Sequence, residues 1–370
     1  MLAKGGPIIQ ESIRRILIIQ LGDIGDIVWT TPAIRALKAS YTEATIRLLV
    51  RRGFGGLLDG DSMIESVLEA GSSGSFGAAF SEALFFISSL RQGKFDMAVD
   101  LRAGDRGAVA ARLTGAPVRV ALYYDRDVSW WRNALFTHLV DPASPARWDL
   151  GAAEQSLRIV REIGAVEDDG APRLWVSDSC RESAAAILRR RVSAPPERFI
   201  TVNPFSRWAY KEWVDERWGS LIGRIDEELG LATVIIGSPG EAARGEKILS
   251  HCGDRALNMA GQTTLAELKG LLSMSLLHLG VDSAAPHIAA ALGTPTVTIY
   301  GPTDWRHWAP KGLRRRVIVP SDSCAPCNQK GCASGGVSRC LSELTVDRVF
   351  FDVADALRGL TVETNRREGI

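Results

Sequence analysis

Nothing in this chain is apolar for long enough to span a bilayer, so no segment reads as a transmembrane helix. The opening stretch, Met1 to Glu11, has one lysine and lacks the apolar run and small-residue cleavage site of a secretory signal, which makes a cytoplasmic protein the expectation. An excess of one charge is missing too: 44 Lys and Arg stand against 43 Asp and Glu, so no domain has the basic balance of a nucleic-acid binder. Cysteine is sparse, six in 370 residues, too few for a disulfide scaffold. Four of the six, Cys324, Cys327, Cys332 and Cys340, crowd into one segment; its opening Cys-x-x-Cys suits a metal, but the later spacings match no common finger. No Gly-x-Gly-x-x-Gly is present, which disfavours a nicotinamide cofactor, and no cofactor is expected.

What is there suits a soluble α/β protein of two domains with a cleft, since 370 residues exceed one ordinary core. Arg15 to Leu21 is a continuous β-branched and apolar run, the signature of a strand buried on both faces. The loop Gly22-Asp23-Ile24-Gly25-Asp26 breaks it, and Thr31-Pro32 then offers an N-cap and first-turn proline for a helix through Tyr41. Strands at Ala44 to Val50 and Met97 to Leu101 alternate with helices at Ala79 to Leu90 and Gly107 to Leu113, which predicts a parallel sheet. A charged, proline-containing stretch around Gly170 to Ser179 marks a boundary, giving domains over residues 1–175 and 176–345. The same grammar then restarts: a helix over Cys180 to Val192, strands at Phe199 to Asn203, Ala232 to Gly237, Leu276 to Val281 and Thr296 to Tyr300, with helices between them. A final helix and tail over 346–370 is expected to pack back across the cleft.

Ligands of open parallel sheets bind at the carboxyl ends of the strands, and the chemistry-bearing residues gather there. Asp23 and Asp26 follow the first strand; either carboxylate is equally explained as a cap of the next helix. Asp282-Ser283-Ala284 ends one strand and opens a helix, so backbone N–H groups and the helix dipole could receive a pyrophosphate, with His287 one turn further in. A histidine on an apolar helix is more often a core group than a ligand contact, but Pro286 and Ser283 keep this helix end polar. Ser206 and Lys211 follow the strand ending at Asn203, and a lysine there could neutralise a leaving diphosphate or simply be exposed. Glu241, beyond the strand ending at Gly237, is suited to accept ribose hydroxyls or to cap its own helix.

Three segments in order, ILIIQLGDIGDIVWTTPAI, NPFSRWAYKEWVDERW and LGVDSAAPHIAAALGTPTVTIYGPTDWRHWAP, resemble the ADP-heptose lipopolysaccharide heptosyltransferases of glycosyltransferase family 9, with a similarity running from Ile16 to about Leu357. VDLRAGDRGAVAARLTGAPVRV is similar to the family's Asp-Leu-Gln-Gly segment, with Arg102 in place of the glutamine and Arg106 as the following basic residue. The resemblance implies a GT-B fold: two Rossmann-like doubly wound domains facing a central cleft, acceptor on the first and nucleotide sugar on the second. It implies Asp26 as the catalytic base, acceptor contacts at Asp23, Arg102 and Arg106, and donor contacts at Ser206, Lys211, Glu241, Asp282, Ser283, Ala284 and His287. Ala284 stands where the family usually has glycine.

The reaction so implied is an inverting transfer of heptose from ADP-heptose to an inner-core sugar of lipopolysaccharide. It needs a base for the attacking hydroxyl and positive charge for the departing diphosphate. No Asp-x-Asp lies near the donor segment, so Lys211 and a helix N-terminus are expected to replace a metal ion. Another nucleotide sugar or acceptor glycan, a sugar-nucleotide 2-epimerase, and a non-catalytic nucleotide-sugar binding protein are the alternatives. A lipid-linked acceptor implies peripheral contact with the inner membrane, for which Trp130, Trp131 and Arg132 are the candidates, although the tryptophans suit a core as well.

Overall fold

The computed structural model describes residues 2–71, 76–102, 104–125, 128–142, 148–192, 194–250, 252, 255–312, 314–321, 323–332 and 335–368. The chain divides into two compact units, Met1–Trp175 and Val176–Ile370.

Unit 1 runs β1 (Leu2–Lys4), β2 (Arg15–Gln20), α1 (Ile24–Ser40), β3 (Thr45–Arg51), β4 (Ser66–Ala70), α2 (Phe76–Gln92), β5 (Met97–Asp100), α3 (Asp105–Leu113), β6 (Val118–Leu122), β7 (His138–Val140) and α4 (Glu154–Arg161). Its sheet has the order β1-β7-β6-β5-β2-β3-β4. All pairs are parallel except β1 with β7, so an antiparallel edge strand is added to a doubly wound sheet. The central strands are buried along their length because helices cover both faces: Ile16 to Ile19, Leu48 to Val50 and Met97 to Val99 are inaccessible to solvent.

Unit 2 runs α5 (Asp178–Arg191), β8 (Phe199–Asn203), α6 (Asp215–Leu229), β9 (Ala232–Ile235), α7 (Ala242–Leu249), β10 (Ala256–Asn258), α8 (Leu265–Met274), β11 (His278–Val281), α9 (Ala284–Ala291), β12 (Thr296–Ile299), α10 (Trp305–Trp308), β13 (Arg315–Ile318), α11 (Arg339–Glu343) and α12 (Val346–Glu368). The sheet is wholly parallel in the order β10-β9-β8-β11-β12-β13, the strand order of dinucleotide-binding folds. In both sheets the order reverses beside the unit's first parallel strand, at β2/β5 and at β8/β11, and a crevice opens where the chain leaves such a pair on opposite faces. The helix α12 packs on α6 and β13 of its own unit, burying Val349, Phe350 and Val353.

Two sequence expectations are corrected. The helix after β2 starts at Ile24, so Pro32 lies inside α1 rather than in its first turn. The proline removes the amide that Val28 O would receive, and the Thr31 hydroxyl donates to that carbonyl instead, at 2.9 Å. Thr31 Oγ1 in turn accepts the Arg173 N–H at 3.0 Å, a partner 142 residues away. Arg132 is not a surface cation: it is fully buried, its guanidinium donates to Leu122 O at 2.8 Å, and it lies over the rings of Tyr124 and Phe136. Trp131 is half-buried, whereas Trp130 is 92% exposed.

Candidate active site

In unit 1 the parallel register pairs Ile19 of β2 with Asp100 of β5, so the loops that follow these two strands leave the sheet side by side. That brings Arg102 onto Asp26, and the guanidinium donates to Asp26 Oδ2. The same oxygen accepts the Asp23 N–H at 2.8 Å, and Asp23 and Asp26 together form a capping box at the start of α1. A Cβ on Gly22 would stand 2.3 Å from Asp26 Oδ2 and 2.7 Å from Arg102 Nη1, so a larger residue here would have to displace one of these two side chains. Behind the loop, Gln20 Oε1 accepts the Gly22 N–H at 3.1 Å, its Nε2 donates to Thr30 Oγ1 at 2.8 Å, and that hydroxyl donates to Asp26 O at 2.8 Å. The base candidate is held from three directions.

Burial raises the Asp26 carboxyl above its ordinary value, more strongly than Arg102 and the Asp23 N–H lower it, and the neighbouring Asp23 charge adds to the rise. A carboxylate so perturbed beside a strand end is suited to taking a proton. Asp23 itself is exposed and pairs with Arg51 at 2.7 Å. Arg106 is exposed on α3. Asp100, which the sequence reading passed over, is 1% exposed; its Oδ1 accepts the Arg102 N–H at 3.1 Å and its Oδ2 lies 3.6 Å from Arg132 Nη2. Burial pushes this carboxyl up to about 7 despite the Arg132 charge. Its place as the last residue of a buried strand, two before Arg102, was the available signal.

In unit 2 the register pairs Asn203 with Gly280, and the loops after β8 and β11 interlock. Asn203 Nδ2 donates to Ser283 Oγ at 3.1 Å, and Ser206 Oγ donates to Asp282 O at 3.1 Å. Lys211 Nζ sits 2.7 Å from Asp282 Oδ2, with Asp282 itself 8% exposed. The lysine is therefore neither a free surface group nor an unshared phosphate ligand; its charge is matched by an aspartate at the mouth of α9. Ser283 is the N-cap of α9 and its side chain makes no capping bond, so the first-turn amides of Ala284 and its successors have no side-chain cap from Ser283. His287 is buried on α9, and burial lowers its imidazole to about 4, which makes it neutral. Glu241 Oε2 accepts the Ser238 N–H at 2.6 Å in a capping box, the plainer of the two roles read from the sequence. Glu212, which the sequence motifs did not single out, accepts the Ser206 N–H at 2.7 Å and is held by Arg244 at 2.6 Å, which fixes the loop carrying Ser206.

None of the four clustered cysteines is in a disulfide, and among the described residues no group of three or more His, Cys, Asp or Glu is arranged to hold a metal. No helix among them is long and apolar enough to cross a membrane.

The model of glycosyltransferase family 9 (heptosyltransferase) matches residues 84–338, more than half the chain and parts of both units. Lipopolysaccharide heptosyltransferase 3 of Escherichia coli (strain K12) is 27% identical over 297 residues, covering 77% of this chain and 82% of that protein. Among solved structures, E. coli ADP-heptose lps heptosyltransferase II superposes with a TM-score of 0.76 at 21% identity, over 94% of this chain and 99% of that one. E. coli heptosyltransferase WaaC with ADP gives 0.71 at 19% identity, over 92% and 99%. The two structural likenesses bear on the fold, which is of the GT-B type, and the family match bears on the chemistry: this chain belongs to glycosyltransferase family 9 and is a heptosyltransferase.

Proposed function

We propose that the protein transfers a heptose from ADP-heptose to an inner-core sugar of lipopolysaccharide, with inversion and without a metal ion. The observation that carries the reading is that each unit by itself has a strand-end site: a carboxylate raised by burial in unit 1, and a lysine beside the α9 N-terminus in unit 2. The names of the related proteins, which include ADP, ADP-heptose and lipopolysaccharide, support this donor and this acceptor class.

Asp26 takes the proton from the acceptor hydroxyl as its oxygen bonds to the anomeric carbon. The bond from that carbon to the diphosphate oxygen breaks, and its electron pair leaves with ADP. One displacement inverts the anomeric configuration. The departing charge is met by Lys211 and by the α9 amides, whose dipole is equivalent to roughly half a positive charge. Asp282 would repel a diphosphate if alone, but its charge is already matched by Lys211. Asp23 and Arg106 contribute to the acceptor side, and Ser206, Ser283, Ala284 and Glu241 line the donor side. His287, being neutral, packs beneath the diphosphate without adding charge. A lipid-linked acceptor draws the enzyme to the cytoplasmic face of the inner membrane, and exposed Trp130 is the residue suited to touch it.

The test is release of nucleoside diphosphate from a panel of nucleotide sugars, with and without truncated lipopolysaccharide. Release from ADP-heptose that depends on the acceptor is expected. Acceptor-dependent release from a different nucleotide sugar would assign another donor, and release without acceptor would sink the transferase reading.

A further inference from the structure

The segment that carries the four clustered cysteines has no part in the transfer described above, yet it grips two strand-end loops of unit 2. Asn328 donates its N–H to Pro302 O at 2.7 Å and accepts the Asp304 N–H on Oδ1 at 3.1 Å, which holds the loop after β12. Leu341 packs over the same loop, where a Cβ on Gly301 would stand 2.7 Å from Leu341 Cδ1. Ser338, 2% exposed, reaches the loop after β8: its Oγ donates to Tyr210 O at 2.6 Å, a partner 128 residues away. This serine is out of keeping with its place in the chain. It is the N-cap of α11, where a serine ordinarily accepts a first-turn N–H, and its side chain makes no capping bond. The hydroxyl gives up the local bond for a distant one, the kind of departure from local rules that marks a site being held in place.

What is held is the root of Lys211. The carbonyl of Tyr210 and the N–H of Lys211 belong to one peptide unit, and both are bonded: the carbonyl accepts from Ser338, and the N–H donates to Trp208 O at 2.9 Å. A peptide unit is planar, so fixing both of its polar ends fixes the direction in which the Lys211 side chain leaves the backbone. At its far end the lysine meets Asp282 Oδ2 at 2.7 Å. We propose that Ser338 is a positioning residue for the donor site: by holding the Tyr210–Lys211 peptide it sets where Lys211 offers its charge to a nucleoside diphosphate. The inference rests on the reading of Lys211 as a diphosphate contact. It gives the cysteine segment a part in donor binding, through a serine hydroxyl rather than through a thiol.

The test is a double-mutant cycle on the full chain, read as ADP affinity by calorimetry. Ser338→Ala should weaken ADP binding by roughly two- to tenfold, the net worth of one hydrogen bond. Ser338→Gly should do the same, and because glycine is itself a tolerated N-cap, this variant keeps the start of α11 while losing the hydroxyl. Ser338→Thr, which keeps the hydroxyl, should recover most of the affinity. In a Lys211→Ala background the loss caused by Ser338→Ala should shrink to within about 1.5-fold, since there is no lysine left to position; a general loosening of the donor loops would weaken binding equally in both backgrounds. An equal loss in both backgrounds, or Ser338→Ala and Ser338→Gly proteins that bind ADP as the wild type does, would overturn the positioning role alone. Lys211→Ala binding ADP with wild-type affinity would instead overturn the diphosphate reading on which that role rests.

Discussion

The paired charges at the two strand-end sites explain why single residues here should not behave as isolated contacts. Lys211→Ala would remove the proposed diphosphate contact, about 1.5 to 3 kcal/mol for a charge-assisted bond, and also leave Asp282 buried and unmatched. Titration calorimetry should find ADP binding weakened by more than tenfold, with Lys211→Ala/Asp282→Asn recovering part of the loss; equal affinities for the two variants would mean Asp282 does not face the diphosphate. Asp100 gives a second prediction. Its folded-state value of about 7 lies above the ordinary 3.8, so between these values the folded chain keeps a proton that the unfolded chain has released, and stability from this group falls as pH rises through that window and is level above it. Urea unfolding across the window should show that slope in the wild type relative to Asp100→Asn, whose side chain does not titrate; parallel profiles would put the Asp100 carboxyl in its ordinary range. None of these pairings was legible beforehand. Lys211 and Asp282, like Asp26 and Arg102, are far apart in sequence and meet only because parallel register sets two strand ends side by side.

At the scale of elements, the buried strands were the clearest text, because a strand covered on both faces must be continuously apolar, as Ile16 to Ile19 are. Helix starts were harder. Thr31-Pro32 has the composition of an N-terminus, yet α1 begins at Ile24, capped by Asp23 and Asp26, and continues through the proline because Thr31 supplies the donor that Pro32 lacks. Thr31→Val should therefore orphan both Val28 O and the Arg173 N–H and cost about 1 to 3 kcal/mol in equilibrium unfolding. Pro32→Ala, which returns an amide to Val28 O, should be neutral or stabilising in the same measurement. A Thr31→Val protein as stable as the wild type would show that the hydroxyl is not what carries α1 past the proline. Arg132 was misread for a related reason: two neighbouring tryptophans suggested a surface anchor, whereas the turn after Trp131 directs the arginine inward to Asp100 and Leu122 O. The edge strand β1 carries too few apolar residues for any period to show, and it exists only through its pairing with β7.

For the whole molecule, the repeated alternation of strand and helix was sufficient to read two doubly wound units, and the strand orders put a switch point in each. Asp26 and Arg102 flank one switch point; Ser206 and Asp282 flank the other. The proposed division of labour, acceptor chemistry on unit 1 and donor binding on unit 2, is tested most directly at Asp26. Asn keeps the oxygen that accepts the Asp23 N–H, and so keeps the start of α1, but it cannot take a proton. Asp26→Asn should cut transfer from ADP-heptose by about a hundred- to ten-thousand-fold while ADP affinity and melting temperature stay near those of the wild type, with Asp23→Asn retaining most of its activity. An Asp26→Asn protein that transfers at the wild-type rate, or that loses ADP binding or stability in proportion to its activity, would contradict a general base at Asp26.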